Sequence, residues 1–203
     1  MFFLSLIEHK LRLPPEDLSL PLPKGIKKVL DGIFLDKVIA NLGLCVSIYD
    51  IRNISGGFIQ AGEGAPTYTV EFRMVVFRPF TGEIIVAKII ESDNDGLRLS
   101  LGFFDDIYVP AHQLPQPCHQ IPDPDRRYKV RWIWEYDIED TGNPEQYNID
   151  GLDEVKLQVL NVSFPPLPIE QQEKPFAPML VTVSQPSTDQ YLNVVWGQFH
   201  GGD

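Results

Sequence analysis

The sequence predicts an α+β fold with two domains, a mixed domain over residues 1–80 and an all-β domain over residues 81–203. Three observations lead to this prediction. Helical periodicity is strong in only one segment, and short alternating strands account for most of the remaining chain. The charge also changes at residue 80: nine basic and eight acidic residues lie before it, whereas eight basic and twenty acidic residues follow.

The first domain is predicted to be one helix on a small antiparallel sheet. Residues 1–13 form a strand that Pro14 ends, and the helix follows Pro21, with Gly43 as its expected C′ residue. The apolar face of the helix recurs at steps of three and four: Ile26, Val29, Leu30, Ile33, Phe34, Val38 and Leu42. Residues 44–51 form a further strand.

Two features complete the first domain. Residues 68–78 alternate, which places Tyr68, Val70, Phe72, Met74 and Val76 on one face of a strand. Residues 56–66 (GGFIQAGEGAP) contain four glycines and predict a mobile loop around one short strand.

The second domain is predicted to be a five-stranded OB-type barrel with insertions. Asn94-Asp95-Gly96 is a tight-turn sequence between its first two strands. A proline-rich insertion at residues 165–178 is either a spacer or a docking peptide. The expected strands are residues 83–90, 97–101, 106–109, 129–136, 154–164, 180–184 and 191–196.

Composition excludes several classes of protein. A net charge of −11 argues against a chain whose main task is to hold duplex DNA or a membrane alone, because both surfaces are anionic. No apolar run reaches the ~18–20 residues of a bilayer span, and the first residues lack the features of a signal peptide. Cys45 and Cys118 predict neither a disulfide framework nor a metal pair.

Known catalytic and metal-binding patterns are missing from the sequence. His112, Cys118 and His119 form a ligand-type group, but their spacing is a poor match to a zinc site. Residues 91–96 resemble an EF-hand opening, yet Gly102 stands where the pattern needs Glu. The scattered carboxylates are interpreted as a solvated anionic surface. We therefore expect no catalytic residue, no metal and no cofactor.

One strand carries an unusual concentration of aromatic residues. Trp132, Trp134 and Tyr136 share a face, which either packs on the barrel or forms a stacking platform for bases. The densest basic group of the chain lies just before and within this strand: Arg126, Arg127, Lys129 and Arg131. Basic residues beside aromatics on an OB barrel would suit single-stranded nucleic acid.

Several stretches, in collinear order, resemble one family. They are the opening MFFL, YTVEFRMVVFRP at 68–79, FTGEIIVAKII at 80–90, the turn NDG, and IYVPAHQL at 107–114. Together they are similar to the larger stalk subunit of eukaryotic nuclear and archaeal RNA polymerases. KVRWIWEYD at 129–137, GLDEVKLQVLNVSF at 151–164 and residues 179–196 resemble the RNA polymerase III member of that family.

This resemblance implies a non-catalytic nuclear subunit, with an N-terminal tip domain before an OB domain. It implies a heterodimer with a smaller helical stalk partner, expected along the tip domain and domain junction. It also implies a position on the polymerase core, a role in initiation with initiation factors as further partners, and closeness to emerging RNA. By the same resemblance the core-docking loop contains Gly56, Gly57, Phe58, Ile59, Gly62, Gly64 and Pro66.

RNA contact is the least specific of these implications. OB domains that bind RNA well carry two aromatics around the first hairpin glycine and a nearby His, whereas this chain has Asp95, Arg98 and Pro110 at those positions. The remaining candidates for RNA contact are Lys88, Arg98, Tyr108, His112, Arg126, Arg127, Lys129 and Arg131.

Three alternatives remain open at the level of sequence. The chain is a free-standing single-stranded RNA-binding OB protein, or the stalk subunit of another nuclear RNA polymerase, or a small hydrolase that uses carboxylates of the second half. The acidic second half and the missing aromatics count against the first, and no motif supports the third.

Overall fold

The structure, a computed structural model, describes residues 1–62, 64–122, 130–136, 145–149, 154–166 and 178–184. The chain divides into two compact units. The first, here the sheet unit, is Met1–Arg78 with Phe164–Met179, and the second, the barrel unit, is Pro79–Ser163 with Leu180–Asp203. The described part of the chain is mostly β with one α-helix, as the fold prediction requires.

The sheet unit contains four antiparallel strands in the order β1-β4-β3-β2. Their bounds are β1 Phe2–Arg12, β2 Val38–Ile39, β3 Gly43–Phe58 and β4 Thr67–Phe77. The predicted alternation in β4 is confirmed, because Val70, Phe72, Met74 and Val76 all lie in the core. β3 is longer than predicted and runs through Gly56 and Gly57.

Helix α1, Leu22–Phe34, covers one face of this sheet. Its buried residues Ile26, Leu30 and Phe34 belong to the same core as Phe72, whose ring centroid lies 5.6 Å from that of Phe34. Pro21 is the N-cap residue, and Pro23 lies in the first turn of the helix, where its missing N–H removes no helical hydrogen bond. The face opposite the helix is called the outer face below.

The prediction that the helix continues to Leu42 is wrong. Leu35 leaves the helical conformation with ψ 135°, and Asp36 follows with φ 56°. The apolar periodicity persists beyond the helix because Ile39 in β2 and Leu42 in the next turn pack against the same core.

Gly43 is not a helix cap, as predicted, but the first residue of β3. Its φ of 137° is one that side chains rarely allow, and a Cβ there would lie 2.5 Å from the carbonyl oxygen of Phe77. The close approach of two strands therefore requires glycine at this position.

The barrel unit holds a closed barrel whose strands are ordered β11-β12-β7-β6-β5. All neighbours are antiparallel except β7 and β12, which are parallel. The first three strands are therefore consecutive and the last two are exchanged, as in an OB-type barrel. The strands of this unit are β5 Ile84–Ser92, β6 Gly96–Ser100, β7 Ile107–Pro110, β8 Cys118–Pro122, β9 Val130–Tyr136, β10 Glu145–Ile149, β11 Glu154–Ser163 and β12 Leu180–Ser184.

The turn between β5 and β6 is the predicted one. The Asp93 carboxylate accepts hydrogen bonds from the backbone N–H groups of Asp95 and Gly96, both at 3.0 Å. Gly96 has a φ of 151°, and a Cβ there would lie 2.0 Å from the carbonyl oxygen of Val109. A side chain at this position would therefore push β6 away from β7.

Strands β8, β9 and β10 form a separate three-stranded sheet, of which only β9 was predicted. Trp132 and Trp134 are 7% and 8% exposed, and the Trp132 indole N–H donates to the Asp93 carbonyl oxygen at 3.1 Å. The packing interpretation of these two residues is thus confirmed, and a stacking platform built on them is wrong. The Tyr136 side chain, the strand predicted at 191–196 and most of 165–178 lie outside the described residues.

Candidate interaction surfaces

The predicted docking loop is the connection at the end of the β3–β4 hairpin, residues 56–66, which we call the hairpin tip. Gly56 and Gly57 adopt φ values of 96° and 88°. Gly57 also leaves room for the ring of Tyr68, since a Cβ at Gly57 would lie 3.0 Å from that ring. The two glycines lie at a register shift between β3 and β4, after which Phe58 pairs with Thr67.

The hairpin tip presents two large apolar side chains to solvent. Phe58 is 77% exposed and Ile59 is 64% exposed. Gly62 and Gly64 are exposed as well. Pro66 is buried, and its carbonyl oxygen accepts a hydrogen bond of 2.9 Å from the Leu13 N–H. The tip is therefore anchored at Pro66 and available for contact at Phe58 and Ile59.

The outer face of the sheet carries a second apolar surface, which sequence reasoning missed. Register pairs Phe2, Leu4 and Leu6 of β1 with Phe77, Val75 and Arg73 of β4. Val75 and Arg73 alternate with the core residues of β4, so Leu4 and Leu6 lie on the face opposite the helix. Phe2 shares that face with Phe77, which is fully buried. Phe2, Leu4 and Leu6 are all exposed. The alternation of residues 2–6 was a usable signal, but the uninterrupted run Phe2-Phe3-Leu4 hid it.

A rigid polar group borders this apolar surface. Arg73 donates to both carboxylate oxygens of Asp50, from Nε at 2.8 Å and from a terminal nitrogen at 2.6 Å. Its guanidinium lies 5.0 Å from the ring centroid of Tyr49, which is 58% exposed. The register shifts between Ile48 and Asp50, and the bulge directs Tyr49 to the same face as Arg73.

The hydrogen bond from Arg73 lowers the pKa of the Asp50 carboxyl from its ordinary value, and Arg52, 3.7 Å away, acts in the same direction. Sequence could not predict this group, because the two partners are 23 residues apart and meet only through strand pairing.

The candidate RNA-contacting residues of the barrel lie on three adjacent strands. Lys88, Arg98 and Tyr108 point outward from β5, β6 and β7, and Arg98 and Tyr108 are register partners. The structure therefore brings these three together on one surface, the barrel face. His112 lies exposed in the short 3-10 helix Ala111–Gln113 that follows β7.

The cations of the barrel face are already paired with carboxylates. Arg98 donates to the Asp106 carboxylate at 2.8 Å and to the Asp105 carbonyl oxygen at 3.1 Å. Lys88 lies 3.5 Å from the carboxylate of Glu154. A phosphate approaching Arg98 would have to compete with these anionic groups, which lowers the affinity of this surface for RNA.

Tyr108 shares this acidic environment. Burial raises the pKa of its phenol, and the charges of Asp93 and Asp95 raise it further. Of the remaining candidates, Arg131 lies on β9, where it pairs in register with Ile121. Arg126, Arg127 and Lys129 lie outside the described residues.

Within the described ranges, no three His, Cys, Asp or Glu side chains are placed to hold a metal ion. Burial raises the pKa of Cys118 to about 11, which keeps its thiol protonated at neutral pH. A cavity in the barrel unit has a volume of only about 20 Å³. Gln113 is its one polar lining residue among apolar neighbours such as Leu99 and Ile149, so this cavity offers neither room nor chemistry for a substrate. No helix in the described ranges is long and apolar enough to span a membrane.

Two family models match the chain in succession. The model of the SHS2 domain found in the N terminus of Rpb7p/Rpc25p/MJ0397 matches residues 8–64. The model of RNA polymerase III subunit Rpc25 matches residues 83–189, more than half of the chain. The first match lies within the sheet unit, and the second begins one residue before β5.

Curated relatives agree with these matches. DNA-directed RNA polymerase III subunit RPC8 of Bos taurus is 37% identical over 81% of this chain and 77% of its own length. The rpc8 subunit of Schizosaccharomyces pombe is 32% identical over 81% of this chain and 78% of its own. RPC8 of Saccharomyces cerevisiae is 37% identical over 68% of this chain and 64% of its own.

Proposed function

Because the chain belongs to the family of RNA polymerase III subunit Rpc25, we propose that it is a non-catalytic stalk subunit of DNA-directed RNA polymerase III in the nucleus. The observation that carries this proposal is the pair of successive family matches, supported by 37% identity to the bovine subunit over most of both chains. In this role residues 1–80 are the tip domain, and residues 81–203 are the OB-fold domain with the insertion at 165–178.

The stalk role includes two protein contacts. The hairpin tip docks on the polymerase core, and exposed Phe58 and Ile59 supply the apolar contact. The chain also forms a heterodimer with a small helical stalk partner. Initiation factors are further partners, and through them the subunit aids transcription initiation.

Contact with emerging RNA is an auxiliary part of the proposal. Lys88, Arg98, Tyr108 and His112 of the barrel unit are exposed or partly exposed, so RNA can reach them. Because Lys88 and Arg98 are paired with carboxylates, we expect this contact to be weak. Unchanged RNA affinity in a purified heterodimer that carries Lys88→Gln, Arg98→Gln and Tyr108→Ala would remove those three residues from the proposal.

Affinity purification of the tagged chain from nuclear extract of its own organism tests the proposal. Mass spectrometry is expected to identify the small stalk partner and the polymerase III core subunits at moderate salt. Polymerase II subunits would assign the chain to another polymerase. Recovery of RNA without any polymerase would instead favour a free-standing RNA-binding protein.

The docking role of the hairpin tip has its own test within this experiment. Phe58→Asp with Ile59→Asp is expected to lose the core subunits and keep the small partner. Leu18→Asp, at an exposed position of the same unit outside the tip, is the matched control. Equal recovery of core subunits by both variants would refute the docking assignment.

A further inference from the structure

We propose that the outward side of β5, centred on Ile84 and Val86, is the docking surface for an amphipathic helix of a protein other than the small stalk partner. The helix lays apolar side chains on these two residues, here called the β5 stripe, and places a carboxylate beside Lys156. That this protein belongs to a polymerase III complex rests on the proposed function. The position and chemistry of the surface rest on the geometry of the barrel unit.

The first step is that β5 is apolar on both of its sides. Ile85, Ala87 and Ile89 point into the barrel and are buried. The alternate residues Ile84 and Val86 point outward and are 42% and 44% exposed. An antiparallel strand with one side in water normally alternates apolar and polar residues, whereas apolar residues on both sides are typical of a strand that is covered twice. The described part of the chain covers only the inner side of β5.

The neighbouring strand β11 shows the ordinary pattern for comparison. Its residues Leu157 and Val159 are buried in the barrel. The residues that alternate with them are polar, and they are Glu154, Lys156 and Gln158. The apolar outward side is therefore a property of β5 and is not shared by the strand beside it.

The second step is that more exposed apolar side chains lie at the end of the barrel where β5 begins. Because β6 and β11 both run antiparallel to β5, their last residues lie at this same end. Phe80 precedes β5, Phe103 follows β6, and Leu160 lies near the end of β11. These three side chains are 60%, 52% and 39% exposed. Exposed apolar area that is concentrated in this way marks a surface for protein contact.

The third step decides what kind of structure can cover the β5 stripe. β5 is hydrogen-bonded to β6 on one side and to β11 on the other, so it has no free edge to which another strand could be added. Ile84 and Val86 are aliphatic and offer no ring on which a base could stack. Helices are a common cover for a sheet face. The occupant is therefore a protein helix that packs through its side chains.

The fourth step is the charge that this helix must carry. Lys156 is the register partner of Val86, which places the two Cβ atoms about 5 Å apart. The nearby cation Lys88 lies 3.5 Å from the Glu154 carboxylate, whereas no ion pair of Lys156 is present in the described ranges. A helix that covers Val86 also removes water from Lys156, and a charge that loses water without gaining a partner is costly. The occupant therefore supplies an aspartate or glutamate at this point.

Site-specific photocross-linking in the assembled polymerase is the test. The tagged full chain carries p-benzoylphenylalanine in place of Val86, and polymerase III is purified with it from cells of its own organism and irradiated. Mass spectrometry is expected to find position 86 joined to a protein segment that has apolar residues at helical spacing and an acidic residue beside them. The same probe in place of Ile84 is expected to give the same product, and it keeps the test valid if the change at Val86 prevents assembly. The probe at Asn148, an exposed position of β10, is the control and is expected not to give that product.

Two lysine variants test the acidic contact in the same experiment. Lys156→Gln is expected to lower the yield of the cross-linked product by about fivefold, because the carboxylate of the helix loses its partner. Lys88→Gln is the matched control, since it removes an exposed cation that is already paired within the chain, and it is expected to leave the yield nearly unchanged. Equal yields from the two variants would refute the contact at Lys156.

The proposed function and this inference fail differently. If the wild-type chain does not enter polymerase III at all, the proposed function fails. If the chain enters the enzyme and the β5 stripe joins only the small stalk partner, a basic protein segment, RNA or residues of its own chain, the occupant assigned here is wrong. Absence of any product from both probe positions in an intact polymerase would refute the docking surface itself.

Discussion

The outer face of the sheet and the barrel face are both made of outward side chains on antiparallel strands. They differ in the charges that face each other: opposite charges pair on the barrel face, whereas like charges meet on the outer face. On the barrel face, Arg98 is bonded to Asp106 and Lys88 is paired with Glu154. On the outer face, Glu8 lies opposite Glu71 and the apolar Leu4 and Leu6 stand beside them. The barrel face, whose cations the sequence predicts as RNA contacts, is therefore nearly neutral. The outer face, which the sequence does not predict, keeps two like charges opposite each other.

This difference shows what makes a surface available for binding. A charged side chain is free for a ligand only if its neighbours leave it unpaired, and strand register decides those neighbours. Lys88 and Arg98 are paired with carboxylates of their own unit, as expected where twenty acidic residues share 123 positions with eight basic ones. On the outer face Leu4 and Leu6 stay exposed instead.

Truncating a side chain on the buried face of the sheet is expected to have the largest effect on the free energy of unfolding. Phe72→Ala would cost about 3–5 kcal/mol of unfolding free energy, because Phe72 is fully buried against Phe34. Leu6→Ala on the outer face is expected to cost about 0.5 kcal/mol or less. Denaturant unfolding of the isolated chain measures both. Similar losses would mean that the outer face is already packed in the free chain.

The close approach of β6 and β7 predicts the next largest effect. Gly96→Ala would place a Cβ against the Val109 carbonyl oxygen as well as impose an unfavourable φ. Gly102→Ala is the matched control, because its φ is also positive but no atom lies within 4 Å of its Cβ. We expect about 1–2 kcal/mol for the control and clearly more for Gly96→Ala in the same unfolding experiment. Equal losses would refute the steric argument.

Releasing a cation on the barrel face tests whether its carboxylates limit RNA binding. Asp106→Asn removes the carboxylate that holds Arg98, so affinity for a single-stranded RNA is expected to rise about threefold at low salt, with a steeper salt dependence. Fluorescence anisotropy with a labelled RNA measures this rise. Asp31→Asn in helix α1 makes the same change in net charge, and an equal rise in both variants would show that only the net charge matters.

The smallest expected effect concerns pH. Because Arg73 lowers the folded-state pKa of Asp50, the pair contributes stability above the ordinary carboxyl pKa of 3.8 and loses it as the pH falls through the lower folded value. Asp50→Asn is therefore expected to reduce slightly the fall in Tm between pH 7 and pH 3. If Arg73 is the cause, Arg73→Gln reduces that fall similarly and the double variant adds nothing; additive effects would contradict this origin.

Features that depend on local spacing could be predicted from the amino-acid sequence. The alternation of β4, with Val70 and Phe72 inward, follows from the two-residue period of a strand, and the start of α1 follows from Pro21 and the apolar steps to Ile26 and Leu30. The turn before Gly96 follows from local hydrogen bonding by Asp93. The family resemblance was equally local, since it rested on short collinear stretches.

Which residues face each other depends on long-range strand pairing, which local spacing does not predict. The apolar period continues past Phe34 to Val38 and Leu42. The end of the helix at Phe34 is explained only by the pairing of Ile39 with Gly43 of β3. β8 and β10 are short strands that are held by pairing with β9. The hydrogen bond from Trp132 to Asp93 places that indole in the packed interior, where it cannot stack on a base. The pairing of Arg98 with Asp106 and the approach of Glu8 to Glu71 have the same physical reason: hydrogen bonding between strands sets which distant side chains meet, and no local period encodes it.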